Sequence, residues 1–161
     1  MHEFTVTPYA VEGDVDYDRL LDQFGADELT DEQIANFPQP VHRLVRRGVF
    51  YAGRDVDRFT AAANRGDTVS IVTGIGPSGP MHLGHAYHFY HAKYLQEQTG
   101  AYVYIPLSDD EKRFSKDLSF EEIHEYAREN VRDLVAVGLD RARTRIVVDT
   151  VDADVFYPLA A

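Results

Sequence analysis

Residues 73–85 read Thr73-Gly-Ile-Gly-Pro-Ser-Gly-Pro-Met-His-Leu-Gly-His85. Immediately before them, Thr68-Val-Ser-Ile-Val-Thr73 is a β-branched run that reads as a strand. Immediately after them, Leu83 to Gln98 is long and periodic enough for a helix, which Gly100 ends. A strand that turns through such a loop into a helix leaves free backbone N–H groups and the positive end of the helix dipole facing the loop. His82 and His85 fall on the first turn of that helix, spaced H-x-G-H. Three residues apart, they project from similar sides and can donate to one phosphate. Gly84 between them removes a side chain, so a flat base can approach the backbone.

Downstream, Tyr102-Val-Tyr-Ile-Pro106 reads as a second strand. Ser119-Phe-Glu-Glu122 is a capping box that opens a helix with Phe120, Ile123, Ala127, Val131, Leu134 and Val135 on its apolar face, closed by Gly138. Arg145-Ile-Val-Val-Asp149 is a third strand. Strand, helix, strand, helix, strand predicts an α/β fold with a parallel sheet and right-handed crossovers. Ligands of such sheets bind at the carboxyl ends of the strands. Those ends are Gly74 to Pro80, Leu107 to Glu111, and Asp149 to Asp154, and the chemistry is expected there.

Upstream, residues 1–66 read as an extension of an extended lead (Phe4 to Tyr9) and short helices, ahead of a nucleotide-fold segment over 67–161. Asp16 to Phe24 places Tyr17, Leu20, Leu21 and Phe24 on one stripe, and Gly25 stops it. Thr30-Asp-Glu-Gln33 is a second capping box, and Pro38 and Pro40 break its helix. Val41 to Arg47 and Val56 to Arg65 follow as helical stretches ending at Gly48 and Gly66.

The chain has 27 Asp+Glu against 16 Lys+Arg, a net charge of −11, and no cysteine, which excludes disulfides and thiolate metal sites. Its only lysines are Lys93, Lys112 and Lys116. That is a poor footprint for a nucleic-acid surface, so an RNA-binding surface is expected outside this segment. Few lysines and many carboxylates also suit a protein that works in concentrated salt. With no long apolar run and no signal-peptide pattern, the expected location is the cytoplasm, without a membrane span.

Gly-Pro-Ser-Gly-Pro-Met-His-Leu-Gly-His resembles the "HIGH" signature of class I aminoacyl-tRNA synthetases, on a Rossmann-like, HUP-type nucleotide fold. The flanking sequence is similar to the archaeal and eukaryotic tryptophanyl branch. Pro40 to Tyr51 with Gly53-Arg-Asp55, Ser108-Asp-Asp-Glu-Lys112 with Lys116-Asp117, and Asp16 to Asp18 with Phe24-Gly25 all match its pattern. Phe4, Pro8 and Tyr9 lie where that branch closes a hairpin over its pockets.

The resemblance implies that tryptophan and ATP, with its Mg2+, form tryptophanyl-adenylate, and that the tryptophanyl group then passes to tRNA(Trp). It implies phosphate stabilisation by His82 and His85, and nucleotide contacts from Gly74, Gly76, Pro77, Ser78 and Gly84. It also implies an acidic partner, Glu111, for the amino group of L-tryptophan. Val72 and Pro106 stand where the branch carries a tyrosine and a glutamine that read the indole N–H, and Ile75 replaces a loop arginine. A homodimer is implied as well. The second family signature, Lys-Met-Ser-Lys-Ser, does not occur, so the chain is expected to be the N-terminal part of a longer catalytic domain.

Other readings stand beside this one. Tyrosine is the rival substrate within the class. A small-molecule nucleotidylyltransferase also uses H-x-G-H, though about 65 residues ahead of the strand weigh against it. A non-catalytic paralogue could sense the amino acid or adenylate. His88 and His91 extend the three-residue series, but steps of three drift about 60° around a helix, so the four do not share a face and no metal site is expected. Asp109-Asp110-Glu111 reads as a functional turn rather than a solvated one. Arg43, Arg46 and Arg47 read as a charged outer face, and Tyr87, Tyr90 and Tyr94 as helix packing.

Overall fold

The computed structural model describes residues 5–6, 11–12 and 17–160. The chain divides into two compact units, Met1–Ala61 and Ala62–Ala161.

In the first unit, β1 (Thr5–Val6) pairs antiparallel with β2 (Val11–Glu12). Phe4, Pro8, Tyr9 and Asp16 lie outside the described residues. Helix α1 (Tyr17–Phe24) ends at Gly25, whose φ of +57° favours glycine. Its stripe is only half covered: Leu20 and Leu21 are half-buried, whereas Tyr17 and Phe24 are exposed. Two short strands, β3 (Asp27–Glu28) and β4 (Ala52–Gly53), pair antiparallel. Sequence periodicity does not reveal them, because two-residue strands have no period to read. Between them lie α2 (Asp31–Ala35) and α3 (Arg43–Arg46). The Thr30 hydroxyl accepts from Gln33 N and the Gln33 side chain accepts from Thr30 N, so the capping box forms. Val45 is buried while Arg43, Arg46 and Arg47 face out. Helix α4 (Val56–Asn64) leads into the second unit.

The second unit is a three-stranded parallel sheet in the order β5 (Ser70–Val72), β6 (Tyr102–Leu107), β7 (Thr144–Val148). Crossovers run through α5 (Leu83–Thr99) and α7 (Phe120–Val137). Paired residues of parallel strands face the same side, and register aligns Ile71 with Val103, Ile105 with Ile146, and Leu107 with Val148. That face is the core: Val103, Ile105 and Leu107 are fully buried and cluster with Phe89 of α5 and Ala127, Leu134 and Val137 of α7. The other face carries Val72, Tyr102 and Tyr104, all exposed.

Four features depart from the sequence reading. Asp109 to Glu111 is not a turn but the start of α6 (Asp109–Ser115), and Asp149 is not the last strand residue but opens α8 (Asp149–Ala160). On α7, Val135 is exposed and Phe120 largely so, because the stripe that packs is Ile123, Ala127, Asn130, Leu134 and Val137. Of the three helical tyrosines only Tyr94 is buried. No helix among the described residues is long and apolar enough to cross a membrane.

Candidate active site

The loop after β5 is stitched to β6 before it turns away. Thr73 N donates to Tyr104 O at 3.1 Å, Ile75 N to Pro106 O at 3.1 Å, and Ser108 N to Ile75 O at 3.3 Å. This extends the sheet by an Ile75–Leu107 bridge and carries the chain across the strand ends. Gly74 lies against Pro106 so closely that a Cβ would meet the Pro106 carbonyl at 2.5 Å and its ring at 2.9 Å. Two of the expected site residues, Gly74 and Pro106, are thus in contact, and glycine at 74 is demanded by packing. Val72 is 70% exposed, with Tyr104 as its strand partner.

Gly76 faces Lys112. The position of a Gly76 Cβ is already taken by the Lys112 side chain, which is 18% exposed and ends 3.1 Å from the Glu111 carboxylate. Helix α6 therefore lays a half-buried ammonium across the glycine loop. Pro77 is fully buried, Ser78 is exposed, and Ser78 N donates to Gly76 O at 2.8 Å.

His82 is the N-cap of α5, in extended conformation (φ −130°, ψ 175°), and His85 sits three residues on in its first turn. Their rings stack with centroids 3.8 Å apart at 27°. Gly84 makes this possible, since its missing Cβ would lie 3.1 Å from the His82 ring. The His82 backbone N–H donates to Nδ1 of His85 at 3.3 Å. With Nδ1 accepting, neutral His85 carries its proton on Nε2, leaving that atom as a donor. Burial, then the neighbouring His82 and His88, hold His85 below the ordinary histidine range. His88, one turn on, is also lowered: burial outweighs the Gly84 and Gly74 carbonyls that favour its cation.

At the far side of the strand ends Asp109 is fully buried. It accepts from Thr150 N at 3.0 Å, from the Thr150 hydroxyl, and from Nε2 of His124 at 3.2 Å. Burial pushes its carboxyl up, but the combined hydrogen bonds bring it net below the usual range. Asp149 goes the other way, raised by burial and by Asp110, Asp109 and Asp152. The acidic run is therefore divided: Asp109 fastens β6 to α7 and α8, while Glu111 reaches the loop through Lys112.

The structure gathers Gly74 with Pro106, Gly76 with Lys112 and Glu111, and Gly84 with His82 and His85. Sequence reasoning passed over Lys112 as a site residue and missed Asn130, whose Nδ2 donates to Gly79 O at 3.0 Å. Asn130 did carry a signal: it is a polar residue on the packed stripe of an amphipathic helix. Among the described residues no cluster of three or more histidine, cysteine or carboxylate side chains could hold a metal ion.

A parallel sheet whose first strand turns through a glycine loop into an H-x-G-H helix defines the first half of a Rossmann-like nucleotide fold, of the class I aminoacyl-tRNA synthetase kind. No family model matches the chain. It is 64% identical over 156 residues to tryptophan--tRNA ligase 2 of Halobacterium salinarum, covering 96% of this chain and 40% of the relative. It is 43% identical over 157 residues to the tryptophan--tRNA ligase of Thermococcus onnurineus, covering 93% and 40%. Among solved structures, tryptophanyl-tRNA synthetase of Plasmodium falciparum matches with a TM-score of 0.83 at 37% identity, covering 89% of this chain and 41% of that one. The Encephalitozoon cuniculi enzyme bound to tryptophan matches with 0.83 at 30% identity, covering 90% and 42%. The chain belongs to the tryptophanyl-tRNA synthetase family and spans about two fifths of the length of the curated relatives it matches. The acidic, lysine-poor composition fits the Halobacterium relative.

Proposed function

We propose that this chain carries the amino-acid activation site of a tryptophan--tRNA ligase. The tryptophan carboxylate attacks the α-phosphate of ATP, the bond to the β-phosphate breaks, and pyrophosphate leaves. The resulting tryptophanyl-adenylate then transfers its acyl group to tRNA(Trp). The observation that carries this reading is the stacked His82–His85 pair at the mouth of α5, with His85 Nδ1 already occupied and Nε2 left to donate. Charge grows on the α-phosphate oxygens in the transition state, and fixed donors aimed there lower the barrier by about 3 to 4 kcal/mol each. The attacking group is an anion, so no general base is needed.

In this reading Lys112, lying over Gly76, meets the phosphates, which bring their Mg2+ with them. Glu111 turns from Lys112 to the ammonium of the bound amino acid. Gly74, Gly76, Pro77, Ser78 and Gly84 form the nucleotide floor, and Val72 and Pro106 border the indole. Residues 67–161 are the first half of the catalytic fold and 1–66 its extension. Contacts to tRNA(Trp), assembly as a homodimer and a cytoplasmic location complete the proposal. The test is amino-acid-dependent ATP–pyrophosphate exchange in concentrated KCl, on the polypeptide as its gene encodes it. Exchange with tryptophan is expected. Exchange with tyrosine alone would overturn the specificity, and none with any amino acid would overturn the activity.

A further inference from the structure

Between Gly76 and His82 the chain is held at Pro77, which is buried, and at Met81, which packs against the core. Pro77 and Pro80 have no N–H to give, and Pro77 is fully buried, so the segment is stiff at both prolines. Gly79 between them is the soft point, and nothing lies within 4 Å of where its Cβ would be. Side-chain packing does not hold Gly79 itself, although Met81 two residues on packs against the core. A hydrogen bond does: Nδ2 of Asn130, from the middle of α7, donates to the Gly79 carbonyl at 3.0 Å. Three residues later comes His82.

Asn130 is wholly buried, and its Oδ1 has no hydrogen-bond partner among the described residues. A buried amide oxygen without a donor is a standing cost that a leucine at the same stripe position would avoid. Packing alone thus argues against asparagine here. The loop bond argues for it.

We propose that Asn130 is a positioning residue: by fixing the Gly79 carbonyl it sets how the loop enters α5 and where His82 and His85 meet the phosphate. The inference rests on the activation reading for its kinetic consequence, but its structural content can be tested apart from that reading.

The test is Asn130→Asp, which is isosteric. As a carboxylate it has no donor and opposes the Gly79 carbonyl; protonated, its O–H restores the bond. Exchange by the variant at about pH 8 is expected to fall at least tenfold in kcat, with the KM for tryptophan held. The variant-to-wild-type ratio should climb as pH falls, because burial raises the carboxyl and favours its protonated, donating form. Amide hydrogen exchange over residues 79–85 should be faster in the variant at pH 8 and recover in parallel. A ratio flat with pH, or unchanged exchange of residues 79–85 in a folded variant, would overturn the proposal.

Should the variant not fold, the wild type decides. Its Asn130 side-chain amide resonances should shift when a non-hydrolysable β,γ-methylene ATP analogue is added, and unmoved resonances under saturation overturn the proposal. A wild type without amino-acid-dependent exchange would sink the activation reading, and the hydrogen-exchange comparison would still judge Asn130.

Discussion

Two buried side-chain amides, one toward each end of the parallel sheet, are used in opposite ways. At the amino ends, Gln96 of α5 is 3% exposed and every side of its amide is used. Its Oε1 accepts from Asp140 N at 2.7 Å, and its Nε2 reaches the Thr144 hydroxyl at 3.1 Å and the Ala101 and Arg143 carbonyls at 3.4 Å. One side chain thereby joins the end of α5 to the starts of β6 and β7. Toward the carboxyl ends Asn130 is as deeply buried, but among the described residues it uses only its donor, and His88 keeps a buried Nε2 with no hydrogen-bond partner there. A saturated network specifies a fold, since any change leaves a group unpaired. The unused Oδ1 of Asn130 contributes nothing to the fold, whereas Asp109 at the same end is fully paired.

That contrast can be broken by substitution. The largest effect is expected from His85→Ala, which removes a fixed donor: kcat for tryptophan-dependent exchange should drop about 100- to 1,000-fold, near 3 to 4 kcal/mol, with the thermal midpoint little changed. Gln96→Leu should do the reverse. It leaves the Asp140 N–H and the Thr144 hydroxyl unpaired, so urea denaturation should show a loss of about 2 to 3 kcal/mol with kcat per folded molecule retained. Should both variants lose stability and rate alike, the division between the two ends is wrong.

Gly76→Ala sharpens the comparison within the site. A methyl there displaces the Lys112 side chain, which can swing because it is flexible. A several-fold rise in the KM for ATP, about 1 kcal/mol, is expected with the KM for tryptophan less affected. The smallest effect is a pH trend. His42, His85 and His88 are all held below their unfolded value of 6.5, so the unfolded chain binds more protons as pH falls through that value. Their stabilisation is present above 6.5 and is lost below it. Asp109, lowered from 3.8, loses its share only at still lower pH. The urea midpoint should therefore decline from about pH 7 to pH 5.5, and a midpoint that rises over that interval would contradict the assignment.

Most of the second unit was legible in the sequence, because its elements are long and their ends are chemically marked. Ser119 with Glu122 caps α7 as read, and Gly100 and Gly138 close α5 and α7 with φ of +69° and +81°. The H-x-G-H helix was legible for the same reason. What escaped was set by tertiary contact. Helix α6 is seven residues whose first, Asp109, is held by Thr150, some forty positions away, and no local pattern announces that. The role of Lys112 depends on a glycine in a different loop. The reason for Gly74 is Pro106 on the neighbouring strand, whereas the sequence alone suggested only close approach to a nucleotide.

The measurement that bears most directly on the central claim is single-turnover formation of aminoacyl-adenylate. The folded polypeptide, as its gene encodes it, is mixed in concentrated KCl with tryptophan and ATP labelled at the α-phosphate. Accumulation of labelled tryptophanyl-adenylate, largely abolished in His85→Ala, is the predicted result. A folded protein that binds ATP yet forms no adenylate with tryptophan would contradict the account.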